Sequence, residues 1–149
     1  MKGATMTIRR AFGFVAAMLI LALPLNAGDK GQIQKYFSDA AIKVKAAASA
    51  TEKRAILNES LKSMSDALAK VQSSGLVSKD DLASIDRIKA VLQEKQDELA
   101  GINGYAPVPD EQLDSFSNYV VQDMEQAVTT ITISLVALLL IIILVVLLV

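Results

Sequence analysis

The residues from Ile131 to Val149 carry no charged side chain, and from Leu138 onward only Leu, Ile and Val occur. Few structures accept such a segment. An open strand in lipid would leave its backbone N–H and C=O groups without partners, so helix is the conformation expected. As one helix the run would measure roughly 28 Å, close to the hydrocarbon thickness of a bilayer. A chain of 149 residues has little material with which to wrap such a helix on all sides. The sequence therefore predicts a transmembrane helix over residues 131–149.

A second uncharged stretch lies at the other end, from Ala11 to Leu25. Lys2, Arg9 and Arg10 precede it, Pro24 breaks it, and Leu25-Asn26-Ala27 leads into Gly28. A basic leader, a short apolar run and a small residue at the junction form an export signal, here predicted as residues 1–27 and cleaved. The run is shorter than the roughly 20 residues that a span needs. Arg9-Arg10 also matches part of a twin-arginine signal, but ordinary leaders share that feature.

Orientation follows from charge. Lys95 is the last basic residue, whereas Asp110, Glu111, Asp114, Asp123 and Glu125 precede the apolar tail. Basic flanks favour the cytoplasmic side, and this flank has none. The expected location is a single-pass cell-membrane protein with residues 28 to about 128 on the extracytoplasmic side. Exchange of the tail for a glycolipid near Ser115-Phe116-Ser117 is the alternative.

Between the apolar ends the chain reads as helix. No Gly or Pro occurs from Gln32 to Gln72. Ile33, Phe37, Ala40, Val44, Ala47 and Thr51 recur at alternating spacings of four and three. Leu57, Leu61, Met64, Leu68 and Val71 repeat the pattern after a phase shift. Stripes of this kind have a coiled-coil-like period. One continuous helix over 32–72 is favoured by the Ala-rich sequence. A capping box at Ser49 and Glu52 offers a division into two. Gly75 suits a left-handed cap, and Ser78 caps the next helix, with Asp80 and Asp81 at its positive end. Ile85, Ile88, Leu92, Leu99 and Ile102 form that helix's stripe, with Lys95 as its polar exception. The short connection predicts an antiparallel hairpin. After Asn103-Gly104-Tyr105-Ala106-Pro107-Val108-Pro109, Asp110 is placed to cap a third helix. Its apolar face is Leu113, Phe116, Val120, Met124 and Ala127.

The fold class expected is all-α: an exported antiparallel helical hairpin and a third helix running into one C-terminal transmembrane helix. The divisions are a signal at 1–27, hairpin and connector at 28–109, a membrane-proximal helix at 110–130, and the span at 131–149. Charge separates along the chain as well. Residues 28–95 hold 12 basic and 9 acidic side chains, and residues 96–149 hold none and 7. The two parts are therefore expected to attract one another.

The chemistry-bearing residues are sparse. There is no Cys and no His, which excludes disulfides, Cys nucleophiles and the usual zinc, haem and iron–sulfur ligand sets. Asp80-Asp81 and Asp110-Glu111-Asp114 sit at helix starts, where acids complement the helix dipole. Lys43, Lys45, Lys53 and Arg54 lack aromatic neighbours in the sequence, and after cleavage acids outnumber bases, which argues against nucleic acid. Asn58-Glu59-Ser60 matches a glycosylation acceptor but lies inside a helical pattern. No catalytic residue, metal site, cofactor or small-molecule substrate is indicated. The one candidate site is a face of small residues at the outer end of the span: Ala127, Thr130, Ser134 and Ala137. Such residues let another helix approach closely. The expected partners are the membrane and either another membrane protein or a second copy. The function expected is an envelope-anchored interaction, scaffold or assembly module, with an accessory subunit of a transporter or enzyme complex as the alternative.

Overall fold

The computed structural model describes residues 31–148, so the leader and cleavage site expected from the sequence lie outside the described residues. Five α-helices follow one another: α1 (Gly31–Ala46), α2 (Ala50–Ser73), α3 (Lys79–Ala100), α4 (Leu113–Thr129) and α5 (Leu135–Leu148). A 3-10 turn at Asp110–Gln112 leads into α4, and no strand occurs among the described residues. The described residues form an all-helical fold.

The continuous helix expected over 32–72 is divided in two. Ser49 takes an extended backbone conformation and its hydroxyl accepts the Glu52 N–H at 3.2 Å. Glu52 reaches back to accept the Ala48 N–H at 3.2 Å. This reciprocal capping box satisfies donors that a helix start leaves bare, and it outweighs the helix propensity of the alanines around it. The break lets α1 leave the line of α2, with the Tyr36 hydroxyl donating to the Ser60 carbonyl at 3.3 Å.

The expected hairpin is α2 and α3. Gln72, near the end of α2, accepts from Lys89 in the middle of α3, while Arg54 at the start of α2 reaches Leu99 at the end of α3. These contacts require an antiparallel pair. Ser78 caps α3 as expected, accepting the Asp81 N–H at 3.1 Å. Leu57, Leu61, Met64, Leu68 and Val71 from α2 are buried with Ile85, Ile88, Leu92 and Leu99 from α3. Ile102, read as part of the same stripe, is instead exposed beyond the helix end.

The hairpin is not a separate unit. α4 packs most extensively on α1 and also on α3, while α2 touches every other helix. Leu113, Phe116, Val120, Met124 and Val128 carry α4 into the common core. Asp110 does not cap α4; its carboxylate accepts from the Arg54 guanidinium at 2.9 Å.

The transmembrane helix expected at 131–149 is absent from this arrangement. Among the described residues, no helix is long and apolar enough to cross a membrane. α4 stops at Thr129, and α5 has 14 residues and lies along α2. The interruption has a polar cause at Ile131–Ser134, described below. α5 buries Ala137, Leu138, Ile141, Ile142 and Val145.

The turn after α3 needs glycine. Gly101 has φ +75°, and a Cβ there would stand 2.5 Å from the ring and backbone of Pro107. Gly75 has a similar φ of +72° but open space around it. Gly75→Ala should cost about 1 kcal/mol, the conformational penalty of a left-handed residue. Gly101→Ala should cost clearly more, because Pro107 must also move. Urea unfolding followed by circular dichroism measures both.

Candidate functional site

Two polar clusters join elements that are distant in sequence. The first surrounds Lys95. Its side chain is 0% exposed, in the middle of the apolar stripe of α3. The ammonium is paired with the Asp123 carboxylate of α4 and lies 3.3 Å from Glu98 and 3.9 Å from Glu94. It also stands 3.7 Å from the centroid of the Tyr119 ring. Tyr119 and Asp123 are one helical turn apart on α4, so both reach the same cation. Burial works to lower the Lys95 pKa, but Asp123, Tyr119 and Glu98 outweigh it and hold the group above its ordinary value. The ammonium stays charged, enclosed by acids and a ring face.

Further cations of the first part of the chain meet acids of the second. The Arg54 guanidinium donates to the carbonyls of Leu99 (3.2 Å) and Val108 (2.8 Å) and to Asp110. Lys53 donates to Asp114 at 2.7 Å. The expected attraction between the two parts of the chain is thus realised in specific pairs. Tyr105, from the connector, is exposed and feels the charges of Glu94 and Glu98. Glu94, Glu98, Tyr105 and Tyr119 therefore form an acidic and aromatic rim around the buried cation. Among the described residues no group of three or more His, Cys, Asp or Glu is arranged to hold a metal ion.

The second cluster sits where α4 gives way to α5. Asp81, in the first turn of α3, accepts the Ser134 N–H at 2.8 Å and the Ser134 hydroxyl at 2.6 Å. Three residues along α3, the Ser84 hydroxyl donates to the Thr132 carbonyl at 2.6 Å. Ser134 then caps α5, its hydroxyl accepting the Ala137 N–H at 3.1 Å. In an unbroken helix the Ser134 N–H would bond to the carbonyl of Thr130, and the Thr132 carbonyl to the N–H of Val136. Both groups are taken by α3 instead. This is why the helix expected to run on from α4 stops.

The four predicted small residues are therefore not on one helix face. Ala127 lies in α4, and Thr130 ends it with its hydroxyl on the Ala127 carbonyl at 3.0 Å. Ser134 precedes α5, and Ala137 is buried within it. Of the four, Ser134 alone makes a polar contact with another element. The sequence marks Asp81 only as a dipole-compensating acid, since nothing in it points to a partner 53 residues away. Lys95 left a trace: it is the lone cation in an otherwise apolar stripe.

No known protein family, curated protein or solved structure matches the chain. The two clusters must be interpreted from their own geometry.

Asp123→Ala should cost about 3 kcal/mol in urea unfolding, because it strips a fully buried ammonium of its main partner. Glu98→Ala should cost about 1 kcal/mol or less. Lys95→Met combined with Asp123→Leu should recover most of the loss, since no buried charge then remains. For Asp81, burial acts to raise the carboxyl, but hydrogen bonds from Ser134 and Ser78 outweigh it, and the pKa is lowered. A carboxyl depressed on folding contributes stability that is complete above its unfolded value and is lost as pH falls through the folded one. The stability difference between the parent and Asp81→Asn should therefore be constant from neutral pH down to about pH 5 and shrink below about pH 4. Urea titrations at a series of pH values measure it.

Proposed function

We propose that this chain is a membrane-attached helical interaction module, exported so that residues 28 to about 128 face the extracytoplasmic side, with residues 131–149 supplying the attachment. The observation that carries the reading is the uniform aliphatic character of α5 combined with its half-covered state. Leu135, Val136 and Ile143 are each more than half exposed, and Leu147 is 74% exposed. A helix that is apolar all round belongs in a core or a membrane, and here only one side has a core. Aliphatic patches of this extent on a protein surface mark lipid or protein contacts. The rim of Glu94, Glu98, Tyr105 and Tyr119 supports the interaction role, because Tyr at a surface offers both apolar area and a polar tip.

The proposal requires the chain to stay in the membrane pellet after an alkaline carbonate wash, and to bring a second copy or another membrane protein with it in mild detergent. Co-purification with a transporter or enzyme would specify an accessory subunit. Recovery of the full chain in the carbonate supernatant would overturn the attachment. Recovery from detergent as a lone monomer would overturn the interaction role.

A further inference from the structure

The half-covered state of α5 and the polar cluster at its start belong together. We infer that α5 is a stowed membrane segment: the Asp81–Ser134 and Ser84–Thr132 contacts form a latch that holds it on α2 and keeps it too short to span, and opening the latch passes it to a lipid bilayer. The inference rests on the membrane reading above and adds the state in which the segment is held before insertion.

The length argument comes first. With the latch closed, α5 is a helix of 14 residues, roughly 21 Å long, well short of the hydrocarbon thickness. The residues missing from a spanning helix are Ile131–Ser134, and among them α3 holds the Thr132 carbonyl and the Ser134 N–H. When Asp81 and Ser84 let go, the Ser134 N–H and the Thr132 carbonyl must find other partners. In hydrocarbon the helix ladder is the one partner available. Residues 131–149 then make one helix of roughly 28 Å, which matches the bilayer. The latch thus sets the length of the segment as well as its position.

The occupant of the exposed face is argued from its chemistry. Protein interface cores are enriched in aromatic residues, Met and Arg. α5 has none of these and no polar side chain. Leu, Ile and Val on every side of the helix leave no polar side to face water once a protein covers one face, whereas lipid hydrocarbon accepts all sides. Docking buries Ala137, Leu138, Ile141, Ile142 and Val145 and partly covers Leu140 and Leu144, but it leaves the opposite side open, so the latch adds to a one-sided apolar contact.

The chain contains no Cys and no Trp, which makes the test clean. Asp81→Cys with Ser134→Cys replaces a side-chain contact by a reversible disulfide, and Ile143→Trp places a single fluorophore on the exposed side of α5. The full chain is mixed with phosphatidylcholine vesicles whose acyl chains are brominated near the bilayer centre, so that only a deeply inserted Trp is quenched. The oxidised protein should remain unquenched and the reduced protein should be quenched. Separately, Asp81→Ala with the same reporter should insert on the order of tenfold more at limiting lipid, the ratio expected for losing hydrogen bonds to a charged group. Equal quenching before and after reduction would overturn the stowed state while leaving the membrane reading intact. Failure of the disulfide to form would overturn it too, because the docked geometry would not be adopted. Absence of quenching in every form would overturn the membrane reading and this inference with it. Reduction that yields a dimer without quenching would overturn it in favour of a second copy of the chain.

Discussion

The buried ammonium of Lys95 is the interaction on which the arrangement of the helices depends. Removing a charge from water costs several kcal/mol, and only close, well-directed partners offset it. Those partners are Asp123 and Tyr119, both on α4. The cost is met only when α4 lies beside α3 in one register. That register also turns Leu113, Phe116, Val120 and Met124 inward, and it sets the surface on which α1 packs. A hydrophobic residue at position 95 would place no such charge constraint on the register of α4 against α3. The cation selects one register.

Arg54 and Lys53 do a related task at the opposite end of α4. Arg54 gathers the end of α3, the connector and Asp110, and Lys53 holds Asp114. These pairs are partly exposed and individually weak. Their value is geometric, since they tie the start of α4 to the start of α2 at both Asp110 and Asp114. α4 is thus tied near its beginning by Arg54 and Lys53 and further along by Lys95. The segment after it, from Ile131 to Ser134, is tied in turn by Asp81 and Ser84. One polar contact after another guides a chain whose apolar faces would tolerate several packings.

Much of the fold was legible in the residues. Ser49 with Glu52, Gly75 and Ser78 mark helix boundaries by local chemistry, because caps satisfy backbone groups within a few residues of themselves. The stripe of Ile85, Ile88, Leu92 and Leu99 fixes which side of α3 is buried, because helical period alone decides it. The division of α1 from α2 was legible only as one of two options. There the Ala-rich sequence favoured continuation, and the capping box won because it satisfies two backbone donors at once. The role of Asp110 was not legible. It occupies a cap position in sequence, yet its carboxylate is drawn to Arg54, 56 residues earlier. The candidate site was legible in still smaller part. Lys95 stood out as an anomaly without its partners, and the spacing of Ala127, Thr130, Ser134 and Ala137 presupposed a helix that the latch interrupts.

By itself the sequence determined the helical class, the caps at Ser49 and Ser78, the uncharged character of residues 131–149 and the attraction between a basic first part and an acidic second. Each of these is set by neighbours within one or two turns, or by composition. Tertiary structure alone decided which acid meets which base, where α4 ends, and which side of α5 is covered. Those outcomes turn on groups far apart in sequence but in contact in space, such as Asp81 with Ser134, Lys53 with Asp114 and Lys95 with Asp123. The physical reason is that a backbone N–H or a buried charge takes the partner that packing brings within about 3 Å, whatever the local period prefers.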